Sequence, residues 1–269
     1  MSTSVTSDGV ALHYTDEGSG QPVVLIAGFT ASAETWQLQR SALLAAGHRV
    51  LGLDRRSHGS SDNPAYGQRI ARHGKDIRDF LDATGLDQVV LVGGSMGASA
   101  IWAYYDLFGA DRLRGIVTVD QTPKMVNDEI WQHGFYGLTR HNLGTFFAHG
   151  VPDTGRGMPV AELVRRMDRL VEALGRVPRM GDPRALETRP LLQDHAQQDW
   201  RDVVGRVAVP SLFIAGRDSQ LWPCEHATAA AATNSRAAAL IVEDSGHGVN
   251  IDQPDRVNEA LLKFLAGLA

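Results

Sequence analysis

The sequence predicts an α/β fold: a mostly parallel eight-stranded sheet flanked by helices, with a helical insertion after the sixth strand. Three observations lead there. Short apolar runs rich in β-branched residues, among them 23–26, 89–92 and 116–119, are bounded by turn residues, as strands buried on both faces require. Segments with helical spacing separate these runs, which implies parallel strands joined by right-handed crossovers. Residues 121–205 then lose the strand-like runs, and short helical pieces alternate with Gly/Pro breaks over a length too great for a plain loop.

The elements follow in order. Residues 2–16 alternate weakly around Ser7-Asp8-Gly9 and read as a β-hairpin with a D-G turn. Gly18-Ser19-Gly20 is a turn that precedes a strand, so it is not a dinucleotide-binding loop. A buried strand over 22–26 runs into Ala27-Gly28-Phe29-Thr30, and a helix is expected over 34–46. The next strand, 50–53, ends in Asp54-Arg55-Arg56-Ser57-His58-Gly59-Ser60-Ser61. Helical spacing of Ile70, Ile77, Phe80 and Leu81 predicts a helix over 70–83 with a charged outer face. The strand at 89–92 leads through Gly93-Gly94-Ser95-Met96-Gly97 into a helix reaching about 108, and a strand over 115–119 ends at Asp120. After the insertion come a strand over 209–215, a helix over 225–232, a strand over 238–242 and a terminal helix over 254–268. The expected organisation is therefore a core domain of residues 1–120 and 206–269, with 121–205 as a helical cap.

Composition narrows the function. With 269 residues, 43% hydrophobic and 21% charged, the chain has enough material for one large soluble domain. A net charge of −5 argues against nucleic acid or an anionic membrane as partner. The lone Cys224 cannot form an internal disulfide and sits in no metal-binding spacing. The first residues carry neither a basic stretch nor an apolar run, so a cytoplasmic location is expected, with the protein a monomer or a homodimer.

Chemistry collects at the C-terminal ends of strands in parallel sheets. At those ends the sequence puts Gly28-Phe29, Asp54, Ser95, Asp120, Asp218 and His247. In G-x-S-x-G the glycines relieve crowding where a strand turns sharply into a helix, which leaves the middle serine exposed on a strained backbone. A serine hydroxyl becomes an effective nucleophile only when a base takes its proton. His247, between two glycines, can supply that base, and the order Ser…Asp…His suits nucleophilic acyl transfer. No histidine spacing in 121–205 resembles a metal site, so no metal is expected.

Four motifs carry a resemblance across almost the whole chain: Ala27-Gly28-Phe29-Thr30, Asp54 to Ser61, the Gly93–Gly97 elbow and Gly246-His247. Gly216-Arg217-Asp218-Ser219-Gln220-Leu221-Trp222-Pro223 adds an acid turn. The chain resembles α/β-hydrolases of the esterase and cofactor-free haloperoxidase-like branch. The resemblance implies Ser95 as nucleophile, His247 as base and Asp218 as the acid that orients it. Asp120 is the alternative, since some members carry the acid one strand earlier. It further implies an oxyanion hole from the Phe29 and Met96 N–H groups and no cofactor. The chain departs from the family pattern in having Ala27 where a histidine usually precedes the glycine, and Ser57 where a glycine is usual. Relatives that are dehalogenases or epoxide hydrolases carry an aspartate where this chain has Ser95.

Gly28, Thr30, Asp120, Trp131, Phe135, Tyr136 and Trp222 are the expected pocket residues, and the cap aromatics, with Phe146, Phe147, Met125 and Leu138, suggest an apolar acyl or aryl site. The expected function is hydrolysis of a small carboxylic ester or lactone through an acyl-enzyme. The alternatives are C–C bond hydrolysis or perhydrolysis on the same residues, or a slow-turnover small-molecule receptor. A lyase would be favoured by a lysine near the acid turn, and none occurs between Pro210 and Ala260.

Overall fold

The computed structural model describes residues 2–268. One eight-stranded sheet runs through it in the order β1-β2-β4-β3-β5-β6-β7-β8. β1 (Ser2–Val5) and β2 (Ala11–Glu17) form the antiparallel edge. β3 (Pro22–Ile26), β4 (Arg49–Leu53), β5 (Val89–Gly94), β6 (Leu113–Val119), β7 (Ser211–Gly216) and β8 (Ala237–Val242) are parallel. The central strands are buried on both faces, as their continuous apolar runs require.

Two hydrophobic clusters flank the sheet. On one face, α2 (Ile70–Thr84) and α3 (Met96–Phe108) contribute Ile77, Phe80, Ile101 and Trp102. On the other, α1 (Gln37–Ala45) and α9 (Pro254–Ala266) contribute Leu43, Val257 and Leu261. Each such fully buried large side chain stabilises the fold by roughly 1.5–3 kcal/mol before the entropy of ordering is counted. Along α2, Arg72–Asp76, Lys75–Asp79 and Arg78–Asp82 are i,i+4 ion pairs, and Gly85 ends the helix in the left-handed region. The helix expected over 34–46 begins as a 3₁₀ turn, Ala33–Trp36, before α1.

Residues 120–210 separate β6 from β7, and they differ in one respect from the expected run of short helices. Among the described residues, the stretch 120–159 contains no helix, and its backbone is satisfied by side chains instead. Asn127 Nδ2 donates to the Phe135 and Leu138 carbonyls, and Asn127 Oδ1 accepts from Gly134 N–H. Asp128 Oδ1 accepts from the Ile130 and Trp131 N–H groups. These bonds give irregular chain the partners that a helix would otherwise supply. Only α4 (Val160–Leu174), α5 (Arg189–Gln197) and α6 (Arg201–Arg206) are helical, and α6 packs against α3 and against α7 (Glu225–Ala231) rather than over the sheet's rim. The short α8 (Val249–Asp252) precedes α9.

The insertion is tied down over the loop that follows β3. Gly181 N–H donates to the Thr30 carbonyl at 2.7 Å, Arg179 N–H donates to Glu34 Oε2 at 2.8 Å, and Arg176 pairs with Glu34. On the other side, Met158 N–H donates to the Asp218 carbonyl and Gln220 Nε2 donates to the Met158 carbonyl. Among the described residues no helix is long and apolar enough to cross a membrane.

Candidate active site

Ser95 sits at the junction of β5 and α3 with φ +48° and ψ −128°, a conformation that costs a non-glycine residue about 1–3 kcal/mol. Its neighbours make that turn possible. A Cβ on Gly93 would lie 2.6 Å from Ala98 N, and one on Gly97 would lie 2.5 Å from the Ile26 carbonyl oxygen. Both contacts are with backbone that cannot move aside, so glycine is required at both positions. Ser95 N–H donates to the Val119 carbonyl at 2.9 Å, which locks the elbow to the end of β6. Ser95 is half-buried and borders a cleft of about 340 Å³.

The two expected oxyanion donors are free. Among the described residues neither Phe29 N–H nor Met96 N–H has a hydrogen-bond partner, and Met96 opens α3, where the helix dipole favours negative charge. The loop carrying Phe29 is braced from beneath by Arg55, only 3% exposed. Arg55 Nη2 donates to the Gly28 carbonyl at 2.7 Å and Nε to the Ala27 carbonyl at 3.2 Å. The same Nη2 also meets His58 Nε2 at 3.0 Å, and Nη1 meets His73 Nδ1 at 2.9 Å. Burial pulls the Arg55 guanidinium down to about 9, with partial compensation from the charges of Asp76 and Asp54. Arg55 therefore holds the loop that carries Phe29 from below in a chain that has Ala27 at the position preceding Gly28.

His247 lies in the loop after β8. Gly246 N–H donates to Asp252 Oδ2 at 2.7 Å, and His247 N–H donates to Gln220 Oε1 at 2.9 Å. These bonds fix the loop so that the ring borders the same cleft as Ser95. The ring packs edge-on to Trp222 with centroids 5.3 Å apart.

Beside His247 the structure places the Asp120 carboxylate, and not that of Asp218 as expected. His247 Nδ1 lies 2.7 Å from Asp120 Oδ2. Asp120 is fully buried; its Oδ1 accepts from Gly216 N–H at 3.0 Å and its Oδ2 from Ser219 Oγ at 2.6 Å. Burial, the largest influence, acts to raise its pKa. The neighbouring His226 and His247 outweigh it and hold the carboxyl at about 2, against an ordinary 3.8. His226 Nε2 stands 3.6 Å from Oδ1, so its part is that of a nearby dipole or charge rather than of a well-formed hydrogen bond. Asp218, by contrast, is exposed and its carboxylate makes no hydrogen bond among the described residues. Its backbone explains why: Asp218 N–H donates to the Ser245 carbonyl and its own carbonyl accepts from Met158, an arrangement that leaves the side chain facing water.

The other expected site residues divide. Gly28 and Thr30 line the cleft, while Phe135 and Trp222 line a separate recess of about 30 Å³ behind Ser95. Asp120 lies behind His247 instead of lining the pocket. Trp131 is buried with its Nε1 donating to the Lys124 carbonyl, and Tyr136 borders an outer surface hollow beneath Arg156; neither lines the cleft or the recess beside Ser95. Of the additional cap residues, Met125 and Phe147 line the recess. Sequence reasoning missed Trp36, Val151, Met180 and Leu221 in the cleft, and Leu192 and His195 in the recess. The last two carried a signal, since both lie on one amphipathic helix of the insertion.

Comparison with known proteins adds a family. The model described as alpha/beta hydrolase fold matches residues 21–254. A non-heme chloroperoxidase of Kitasatospora aureofaciens is 28% identical over 302 residues, covering 98% of this chain and 99% of that protein. Among solved structures, a bromoperoxidase from Bacillus anthracis superposes with a TM-score of 0.81 at 26% identity, over 98% of this chain and 99% of the other. An esterase from Exiguobacterium antarcticum shares the fold at a TM-score of 0.77 and 22% identity, over 98% of each chain.

Proposed function

The chain belongs to the alpha/beta hydrolase fold family, and from that premise we propose that it is a serine hydrolase that cleaves a small carboxylic ester or lactone through an acyl-enzyme on Ser95. The observation that carries this reading is the 2.7 Å contact of His247 Nδ1 with the buried Asp120 carboxylate, on the rim that holds the strained Ser95. His247 takes the Ser95 proton at Nε2 as Oγ bonds to the substrate carbonyl carbon, and the resulting oxyanion is held by the Phe29 and Met96 N–H groups. Asp120 keeps Nδ1 protonated and stabilises the imidazolium without taking its proton. The C–O bond then breaks as His247 returns the proton to the leaving oxygen. Water, deprotonated by the same ring, releases the acid and regenerates Ser95. Residues 121–205 act as the lid that shapes both cavities.

The cavities suggest the substrate's shape. The leaving oxygen is protonated by His247, which borders the cleft and not the recess. The alcohol portion therefore belongs in the 340 Å³ cleft, whose walls carry no Asp, Glu, Lys or Arg, a setting for a neutral, largely apolar group. The acyl portion belongs in the recess beside Phe29 and Met96, where about 30 Å³ admits roughly two water-sized groups. A short acyl chain on a larger apolar alcohol fits this division. A short carboxylic acid in the recess is also the substrate that perhydrolysis by hydrogen peroxide would need, an activity in keeping with the haloperoxidase names of the relatives.

The test is steady-state hydrolysis of p-nitrophenyl acetate, butyrate and octanoate by the wild type and Ser95→Ala. Sustained turnover, fastest on acetate and abolished in Ser95→Ala, is expected. A single burst that stalls at one equivalent would favour a slow-turnover receptor, and activity that survives in Ser95→Ala would remove the nucleophile.

A further inference from the structure

His226 is a buried histidine beside the site that the chemistry above leaves unused. It is the second residue of α7, 1% exposed, and neither ring nitrogen has a hydrogen-bond partner among the described residues. Its Nε2 lies 3.6 Å from Asp120 Oδ1. Its ring stands edge-on to Trp222 with centroids 6.1 Å apart, and Trp222 in turn stands edge-on to His247.

The donors around Asp120 are unevenly divided. Oδ2 receives both Ser219 Oγ and His247 Nδ1, whereas Oδ1 receives Gly216 N–H alone. A carboxylate offers about four lone-pair sites, and one that is fully buried has no water to fill the remainder. The His226 ring nitrogen Nε2 stands 3.6 Å from Oδ1. An imidazole without another partner, packed against a buried anion, has its lowest-energy tautomer with the N–H toward that anion.

We infer that His226 is a positioning residue for the acid of the triad: its Nε2–H faces Asp120 Oδ1, holds the carboxylate plane so that Oδ2 meets His247, and moderates the negative potential that His247 feels. At 3.6 Å it acts as an oriented dipole and not as a hydrogen bond. This inference rests on the Ser95–His247–Asp120 reading. Titratable groups near this corner are Cys224 and Glu225 at the start of its own helix, Tyr136 from the insertion, which feels Glu225, Cys224 and Asp120, Arg217 from the turn after β7, which reaches Cys224 Sγ at 3.2 Å, and His247 beyond Asp120. None of these competes with Asp120 as the anion within 4 Å of His226.

Replacing His226 with leucine removes the dipole and keeps the site apolar and filled. His247 then faces a more negative carboxylate, which favours its protonated, inactive form. The acidic limb of the kcat/KM profile should move to higher pH by about half a unit, and kcat should fall about tenfold with KM within about twofold. His226→Gln, whose side-chain amide can present an N–H at a similar place, should restore both. A side chain that merely packed would alter the melting temperature and leave the limb where it was.

The deciding experiment follows the low-field proton resonance of the His247 Nδ1–H by NMR, with no substrate present, alongside the pH–rate profiles. The resonance should be present in the wild type, absent in Asp120→Asn, shifted in His226→Leu and back near its original position in His226→Gln. An unshifted resonance and an unmoved limb in a folded His226→Leu overturn the inference, as does a shift that glutamine fails to reverse. A resonance that persists unchanged in Asp120→Asn would instead remove the triad reading itself, so the two failures are told apart.

Discussion

Replacing each of the two candidate acids separately puts the geometry to work. In Asp120→Asn the shape of the side chain is kept and its charge removed. Asp120 is fully buried and lies 2.7 Å from His247 Nδ1, so the charge it contributes is close to the imidazolium that forms in the transition state. Two unit charges about 4 Å apart interact by about 4 kcal/mol at an effective dielectric near 20. That corresponds to about a 10³-fold loss in kcat/KM. The amide also offers an N–H₂ where Nδ1–H needs an acceptor, and the wrong tautomer of His247 carries the loss toward about 10⁴-fold. In Asp218→Asn an exposed carboxylate without a hydrogen bond is removed, and activity should stay within about twofold of wild type. Both variants are assayed on p-nitrophenyl acetate across pH 5–9, with thermal melts to confirm folding. A large loss in Asp218→Asn beside a nearly unaffected Asp120→Asn would refute the assignment.

Three further outcomes follow from the same structure. Because Asp120 is held at about 2 against an ordinary 3.8, its ionisation contributes on the order of 2 kcal/mol of stability. That contribution is fully present above about pH 4 and lost as the pH falls through about 2, so the stability gap between wild type and Asp120→Asn, measured by urea unfolding, should narrow over that window. Gly97→Ala would drive a methyl to 2.5 Å from the Ile26 carbonyl oxygen and 2.8 Å from that of Ala27; a destabilisation of about 3 kcal/mol is expected on thermal melting, with loss of activity beyond it, because the elbow shifts. Leu192→Ala, in the wall of the recess, should raise the butyrate-to-acetate ratio of kcat/KM about tenfold while lowering stability by about 2–5 kcal/mol.

The parts of this protein that were legible in the sequence are those whose cause is local. The elbow follows from sterics within five residues, and the buried strands follow from runs such as Val89 to Val92, which only a doubly covered sheet can use. The acid was not local. Asp120 and Asp218 follow adjacent parallel strands, β6 and β7, and both stand near the same rim. What separates them is the direction of the side chain, set by contacts far apart in sequence. Gly216 N–H and Ser219 Oγ turn toward Asp120, while the backbone of Asp218 is committed to Ser245 and Met158. The same limit explains Trp131 and Tyr136. Aromatic content pointed to an apolar pocket, but composition cannot say which ring an irregular chain directs inward, and the stretch 120–159 is held by side-chain-to-backbone bonds that no periodicity announces. The brace under the Phe29 loop was hidden for a related reason: Arg55 stood in a recognisable turn motif, yet its target carbonyls, at Ala27 and Gly28, belong to a different strand's loop.

In the proposed chemistry Ser95 is the nucleophile and His247, held by Asp120, activates it. The most direct measurement is labelling with a fluorophosphonate, which reacts covalently with an activated serine, followed by peptide mass spectrometry of the wild type, Ser95→Ala and Asp120→Asn. Stoichiometric modification at Ser95 is expected in the wild type, none in Ser95→Ala, and labelling slowed by about 10³-fold in Asp120→Asn. Modification at another residue, or a labelling rate in Asp120→Asn equal to that of the wild type, would contradict it.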